Sequence, residues 1–194
     1  MSQYLYLDTT VAATIGLFDQ NKGWVEYDNT IKDKPSSDFH LRVFDLLNKH
    51  KLNIKNISGI IYAAGPGSYT GMRLSEGFCQ IVGFEVKDIF SFYHFEIPDL
   101  INDNDYEFIS NAFKGEFFVY HNGESKLIKK VDYKTLSKTI YSHEGIEGIE
   151  LILTSDIIRS NEDILKKIIK DKAKKDLYYY RSVENEFKIK GKET

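Results

Sequence analysis

Asp8 closes the first apolar run of the chain, Tyr4-Leu5-Tyr6-Leu7, and a carboxylate in that place can hold a magnesium-bound phosphate. Asp8, Thr9 and Thr10 would then form a phosphate loop. The turn that follows, Thr10-Val11-Ala12-Ala13, lacks the glycine that lets backbone amides approach phosphate oxygens, so the loop is degenerate. The second candidate is Gly65-Pro66-Gly67-Ser68-Tyr69-Thr70-Gly71, followed by Met72 and Arg73. As a nucleoside-triphosphate loop it fails, because Met72 stands where a lysine must follow Gly71 and the glycine spacing is wrong. As a dinucleotide fingerprint it supplies Gly65 and Gly67, but Thr70 takes the third glycine's place, with Asp88 near the distance at which an acid meets a ribose. As structure, its N–H groups and the Ser68 and Thr70 hydroxyls cap a helix and fix a contact between elements.

No catalytic constellation stands out beside these loops. His40, His50, His94, His121 and His143 are scattered and match no metal-ligand spacing. Cys79, the single cysteine, rules out an internal disulfide; its setting is apolar, with Arg73 and Lys87 the nearest bases, so a buried, reduced thiol is expected. Asn111 stands where a second metal-orienting aspartate would be wanted, and the stretch from Gly145 to Gly148 is too acidic for an adenosine loop. Autonomous ATP hydrolysis, a bound cofactor and a metal are therefore not expected.

The elements around these residues follow from their hydrophobic pattern. Tyr4–Leu7 and Val11–Phe18 form a hairpin, Asp19-Gln20-Asn21-Lys22-Gly23 turns, and Trp24–Tyr27 adds a third antiparallel strand. An acid at the end of a first strand, followed by two meandering strands, opens a ribonuclease-H-like lobe. Residues 34–38 supply turn and capping types, and a helix is expected from Ser37 to Lys49, with Phe39, Val43, Leu46 and Leu47 on one arc and Leu41 and Phe44 extending it. Ile57–Ala64 is the strand that feeds the glycine loop. Met72–Phe84 follows as a helix apolar almost all round, relieved only by Arg73, Glu76 and Gln80 between Gly77 and Gly83. Such a helix is covered on more than one side, by a sheet and by either a second lobe or a partner.

Asp88–Ser91 is a further strand, a helical turn follows near Pro98, and Asn102-Asp103-Asn104-Asp105 is the most linker-like point. Two lobes are expected, residues 1–102 and a smaller one at 103–194. The second contains strands at Tyr106–Ser110, Glu116–Tyr120 and Ile149–Leu153, then a helix starting at Asn161-Glu162-Asp163. Its far end carries Lys166, Lys167, Lys170, Lys172, Lys174 and Lys175, which suit a solvated helix end; contact with RNA is the alternative. With 13 Phe, 13 Tyr and 42% hydrophobic residues the chain is globular. A net charge of −3 with interspersed signs disfavours nucleic-acid binding by electrostatics alone. No basic segment precedes an apolar run at the N-terminus and no stretch approaches a membrane span, so a cytoplasmic protein is expected.

The glycine loop with Arg73, together with Leu7-Asp8-Thr9-Thr10 and its hairpin, resembles the TsaB family, once grouped with glycoprotease-like proteins. Ala112-Phe113-Lys114-Gly115-Glu116-Phe117-Phe118 resembles a diverged form of that family's Asp-Ala-Arg-Arg-Gly-Glu-Val-Tyr segment, and Tyr178-Tyr179-Tyr180-Arg181 its closing Pro-x-Tyr-Leu-Arg. The resemblance implies an α/β, two-lobed actin/Hsp70-like fold with a decayed nucleotide site and a shortened second lobe. It also implies a non-catalytic subunit for making threonylcarbamoyladenosine at position 37 of tRNA. That subunit pairs with the catalytic paralogue TsaD through first-lobe helices, the ATPase TsaE joins the assembly, and contact with tRNA is indirect or weak. A homodimer is the expected alternative when the chain is alone.

On this chain the implied interface maps to Phe39, Val43, Leu46 and Leu47 on the first helix, and to Met72, Glu76, Phe78, Cys79 and Gln80 on the second. Arg73, at the positive end of the second helix, is misplaced for the dipole and is expected to pair with an acid or a partner. Asn111 and Phe113 depart from the family's acidic and basic residues, which argues against a nucleotide role in the second lobe. The competing expectation is an actin-fold ATPase or kinase using Asp8 with Mg-ATP. A glycoprotease lacks a metal-ligand pair in this sequence.

Overall fold

The computed structural model describes residues 2–31, 35–137 and 139–181. Five strands make the first sheet: β1 (Gln3–Asp8), β2 (Ala13–Asp19), β3 (Gly23–Ile31), β4 (Gly59–Ala63) and β5 (Asp88–Phe92), in the order β3-β2-β1-β4-β5. The first three pair antiparallel as a meander, and β4 and β5 join parallel. Parallel neighbours need long crossovers. These are α1 (Pro35–Lys49), between β3 and β4, and α2 (Tyr69–Val82), between β4 and β5. The capping side chains expected at Ser36 and Ser37 lie outside the described residues.

Alternation along β1 sets the two faces of this sheet. Leu5 and Leu7 point to one side, where Ile60, Phe39, Val43, Phe78 and Cys79 complete a core under α1 and α2. Tyr4 and Tyr6 point to the other, with Phe18, Ile61, Phe90 and Phe92.

The second sheet repeats the plan. After α3 (Ile97–Leu100), strands β6 (Tyr106–Asn111), β7 (Glu116–His121) and β8 (Glu124–Lys129) form an antiparallel meander. Strands β9 (Thr139–Ser142) and β10 (Ile152–Leu153) then join parallel, giving β10-β9-β6-β7-β8. Asn111 ends β6 as Asp8 ends β1. The connection from β8 to β9 carries, among the described residues, a single 3-10 turn at Lys130–Asp132 where the first sheet has α1, which helps account for the short second lobe.

From Thr154 the chain returns to the first sheet. Helices α4 (Thr154–Ser160) and α5 (Asp163–Lys170) cover the face bearing Tyr4 and Tyr6, through Ile158, Ile164, Leu165 and Ile168. Residues 172–181 then form a strap across both lobes. Ser91 N donates to Ala173 O at 2.9 Å and Tyr178 N to Ala64 O at 2.8 Å. Tyr178 stacks edge-on against Phe95 and Phe118, and the Tyr180 hydroxyl lies 2.8 Å from Ser110 Oγ. The sequence places a lobe boundary at 102/103; the last strand of the first sheet ends at Phe92, the second sheet begins at Tyr106, and residues beyond Thr154 pack mainly on the first.

Candidate functional site

The glycine loop closes on the turn after Asp8. Ser68 N donates to Thr10 O at 2.7 Å, and Thr9 Oγ1 donates to Gly71 O at 2.5 Å while lying 2.7 Å from Ser75 Oγ. A Cβ at Gly71 would stand 1.8 Å from Thr9 O, and one at Gly67 2.5 Å from Thr10 Cβ. These glycines therefore admit another segment of the same protein, not a phosphate. Ser68 Oγ accepts the Gly71 N–H at 3.2 Å, which starts α2 at Tyr69, three residues before the sequence pattern predicts. Thr70, expected to share that cap, is exposed instead. Gly65 carries φ +118° and its carbonyl accepts His94 N–H at 2.8 Å, while Pro66 is buried behind it.

Asp8 is buried and occupied. Its Oδ1 accepts the Thr10 hydroxyl at 2.6 Å and the Thr10 N–H at 3.0 Å, and its Oδ2 lies 3.2 Å from His94 Nε2. Burial by itself would raise this carboxyl, but the charge and hydrogen bond of His94, with those of Thr10, bring it down to about 2. His94 Nδ1 lies 2.9 Å from Thr154 Oγ1, which is 3.3 Å from Ser142 O. His143 stacks on His94 at 5.2 Å and on Phe108 at 5.8 Å, and burial with the His94 charge pushes its own value down to about 3.

This cluster is absent from the sequence-based site. His94 and His143 are far apart in the chain, and each follows a parallel strand, β5 and β9, at the carboxyl end where α/β sheets build sites. That position is the signal by which they are recognisable.

A cleft of about 410 Å³ opens between the lobes beside this cluster. Thr10, Ser68 and Tyr69 border it from the first lobe, Asn111, Phe113 and Glu144 from the second, and Tyr179 and Tyr180 from the strap. Asn111 N donates to Glu144 Oε1 at 2.6 Å, and the Lys130 ammonium donates to Asn111 Oδ1. Arg73 does pair with an acid, Glu76 at 3.5 Å, and its guanidinium also lies over the rings of Tyr69 and Tyr179 at 5.6 and 5.7 Å.

The docking residues expected on α1 and α2 need correction. Phe39, Val43, Leu46, Leu47, Met72, Phe78 and Cys79 are all buried, and all but Met72 belong to the core beneath the helices. Glu76 is half-buried and Gln80 exposed. The outward apolar residues are Leu41 and Phe44 on α1, Ile81 on α2 and Phe84 just beyond it. The mismatch has a simple cause: the arc that covers the sheet takes the residues with the strongest helical repeat, leaving the extra apolar ones outside. Burial pushes the Cys79 thiol up to about 12, in keeping with an inert cysteine.

Of the six clustered lysines, Lys166 pairs with Asp163 at 3.0 Å, Lys175 with Glu96 at 2.6 Å, and Lys167 donates to Leu100 O. Among the described residues no group of three or more His, Cys, Asp or Glu is arranged to hold a metal ion, and no helix is long and apolar enough to cross a membrane.

No protein-family model matches the chain, and no curated protein does. Solved structures do match. An uncharacterized protein with similarity to peptidase YeaZ, from Pseudomonas aeruginosa, superposes with a TM-score of 0.59 at 17% identity, over 93% of this chain and 100% of that one. YeaZ from Pseudomonas aeruginosa superposes at 0.54, also 17% identical, over 73% of this chain and 75% of its own. Together with the duplicated sheet plan, these matches establish the fold: an α/β, two-lobed actin-like architecture of the YeaZ form.

Proposed function

We propose that this chain is a non-catalytic, cytoplasmic subunit of the TsaB type, serving the synthesis of threonylcarbamoyladenosine at position 37 of tRNA. It acts by docking α1 and α2 on a TsaD-type catalytic paralogue, and a TsaE-type ATPase joins the larger assembly. Three things support this: the loop Gly65–Arg73, the likeness of the fold to YeaZ (TsaB), and the outward face of the two helices.

That face is the observation that carries the proposal. Ile81 on α2 is 72% exposed and Phe84 just beyond it 96%, Leu41 and Phe44 on α1 are 65% and 44% exposed, and the two helices touch through the Phe39 and Phe78 rings at 5.8 Å. Covering each such side chain is worth about 1.5–3 kcal/mol, which a partner supplies and water does not.

The test is co-purification with TsaD. Wild type is expected to elute with TsaD and to raise its activity, and the double variant Ile81→Asp/Phe84→Asp to elute alone while keeping its fold. A wild-type chain that stays separate and leaves TsaD activity unchanged overturns the proposal. The competing reading, an ATPase using Asp8, is disfavoured because both carboxylate oxygens are already engaged by Thr10 and His94. Tight Mg-ATP binding by the isolated chain in calorimetry would reinstate it.

A further inference from the structure

The cleft between the lobes has a lining that suits a ligand other than a nucleotide. The Ser68 and Gly71 amides of the glycine loop face Thr10 O and Ser68 Oγ, so these two are not offered to a phosphate. Glu144 borders the cleft; among the described residues its carboxylate accepts the Asn111 N–H and no cation pairs with it. His143 also borders the cleft; it is 8% exposed, and its Nδ1 is buried without a hydrogen-bond partner among the described residues. A second phosphate-free feature is the aromatic wall. Tyr69 and Tyr179 stand 5.1 Å apart, and Phe113 faces Tyr180 at 6.2 Å.

Cations already lie on these rings. Arg73 lies over Tyr69 and Tyr179, and Arg181 lies 4.2 Å from the centre of Phe113. Both arginines are also paired, with Glu76 and Glu116, and Lys130 is bound to Asn111 Oδ1 and lies over Phe117. What remains without a cation on the cleft's lining, among the described residues, is the Glu144 carboxylate.

We infer that the cleft binds an organic cation, a guanidinium or primary ammonium, with Glu144 taking its charge and the aromatic wall flanking it. A volume of about 410 Å³ suits such a group with a short aliphatic stem. The cation is either a free small molecule or an arginine presented by a peptide; both bring the same chemistry. The inference does not depend on the docking of α1 and α2.

The experiment is calorimetric titration of the full chain with agmatine, with acetyl-Gly-Arg-Gly-amide and with Mg-ADP, on wild type, Glu144→Gln and Tyr179→Leu. Glutamine keeps the acceptor for Asn111 N–H, so Glu144→Gln is expected to fold. Saturable agmatine binding, at least about tenfold weaker in both variants, is the expected result, a tenfold change being about 1.4 kcal/mol. Binding of the peptide but not of agmatine, with the same loss in the variants, assigns the cation to a protein partner. Binding of neither at about 10 mM, where even a Kd in the millimolar range registers, overturns the inference. So does agmatine binding that ignores Glu144→Gln, or Mg-ADP binding that displaces agmatine and survives Glu144→Gln.

Discussion

His94 Nε2 stands 3.2 Å from Asp8 Oδ2, with the two side chains 1% and 9% exposed. The pair sits where β1 and β5 end together, and it converts the most catalytic-looking acid of the sequence into a structural one. A carboxylate buried this deeply is held by its partner: attraction in a low dielectric offsets a desolvation cost that neither group bears alone.

Removing one partner is therefore expected to cost more than removing both. His94→Leu leaves Asp8 charged and uncompensated, for a loss of about 3–5 kcal/mol and a Tm lower by about 10 °C. Asp8→Asn/His94→Leu is expected to recover most of that loss. Urea unfolding of the three proteins measures it; a double variant no more stable than the single one refutes the pairing. The folded value of Asp8, about 2, lies below the ordinary 3.8. Its contribution is thus present above pH 3.8 and lost as the pH falls toward 2.

His143 governs a separate pH window. Its folded value, about 3, lies below the ordinary 6.5, so the unfolded chain binds the proton first as the pH falls. Stability is expected to decline from pH 6.5 toward pH 3, by up to about 1.4 kcal/mol per pH unit. His143→Leu removes this decline and leaves the deeper one due to Asp8. Unfolding free energies measured at pH 7, 6 and 5 decide the matter: parallel curves for wild type and variant contradict it.

Two glycines of α2 separate close approach from mere helix content. A Cβ at Gly71 meets the Thr9 carbonyl, a backbone atom that cannot swing away, whereas a Cβ at Gly77 meets nothing within 4 Å. Gly71→Ala is expected to destabilise by about 3 kcal/mol or more, since the loop must open or α2 must shift. Gly77→Ala is expected to stabilise the isolated chain by about 0.5–1 kcal/mol through helix propensity. Thermal denaturation distinguishes the two, and a neutral Gly71→Ala would remove the clamp from the account.

The first sheet was legible from residue types because its strands are strongly apolar and its turns carry glycine, asparagine and proline. Strands β8 and β9 were not. β8, Glu124–Lys129, has an exposed, polar start and pairs only at the sheet edge, and β9 is four residues long. Helix α4 escaped because its apolar content is Ile157 and Ile158 alone, and its place follows from a return to the first sheet that no local pattern encodes. The glycine loop was recognisable at once, but its partner, the Thr9–Thr10 backbone, is a tertiary fact. The cluster of Asp8, His94 and His143 is likewise tertiary: the carboxyl ends of β5 and β9 mark the two histidines only once both strands are recognised, and β9 is too short to be read from its residues.

The docking face yields the sharpest contrast, because two phenylalanines near one helix have opposite surroundings. Phe78 is 2% exposed, packed edge-on against Phe39 in the core, while Phe84 is 96% exposed just past the end of α2. An aspartate at residue 78 buries an unpaired charge, so Phe78→Asp is expected to unfold the chain and to lose every partner for that reason alone. Phe84→Asp touches no core atom and is expected to change stability by less than about 0.5 kcal/mol. If α1 and α2 dock a partner through their outward residues, Phe84→Asp and Leu41→Asp should each weaken association with TsaD at least about tenfold, or about 1.4 kcal/mol, with unfolding curves unchanged. The same variants should lower any self-association seen by analytical ultracentrifugation, because one apolar face cannot serve two partners at once. Retained association in both variants would place the interface elsewhere on the protein and leave Ile81 and Phe84 as scattered surface residues.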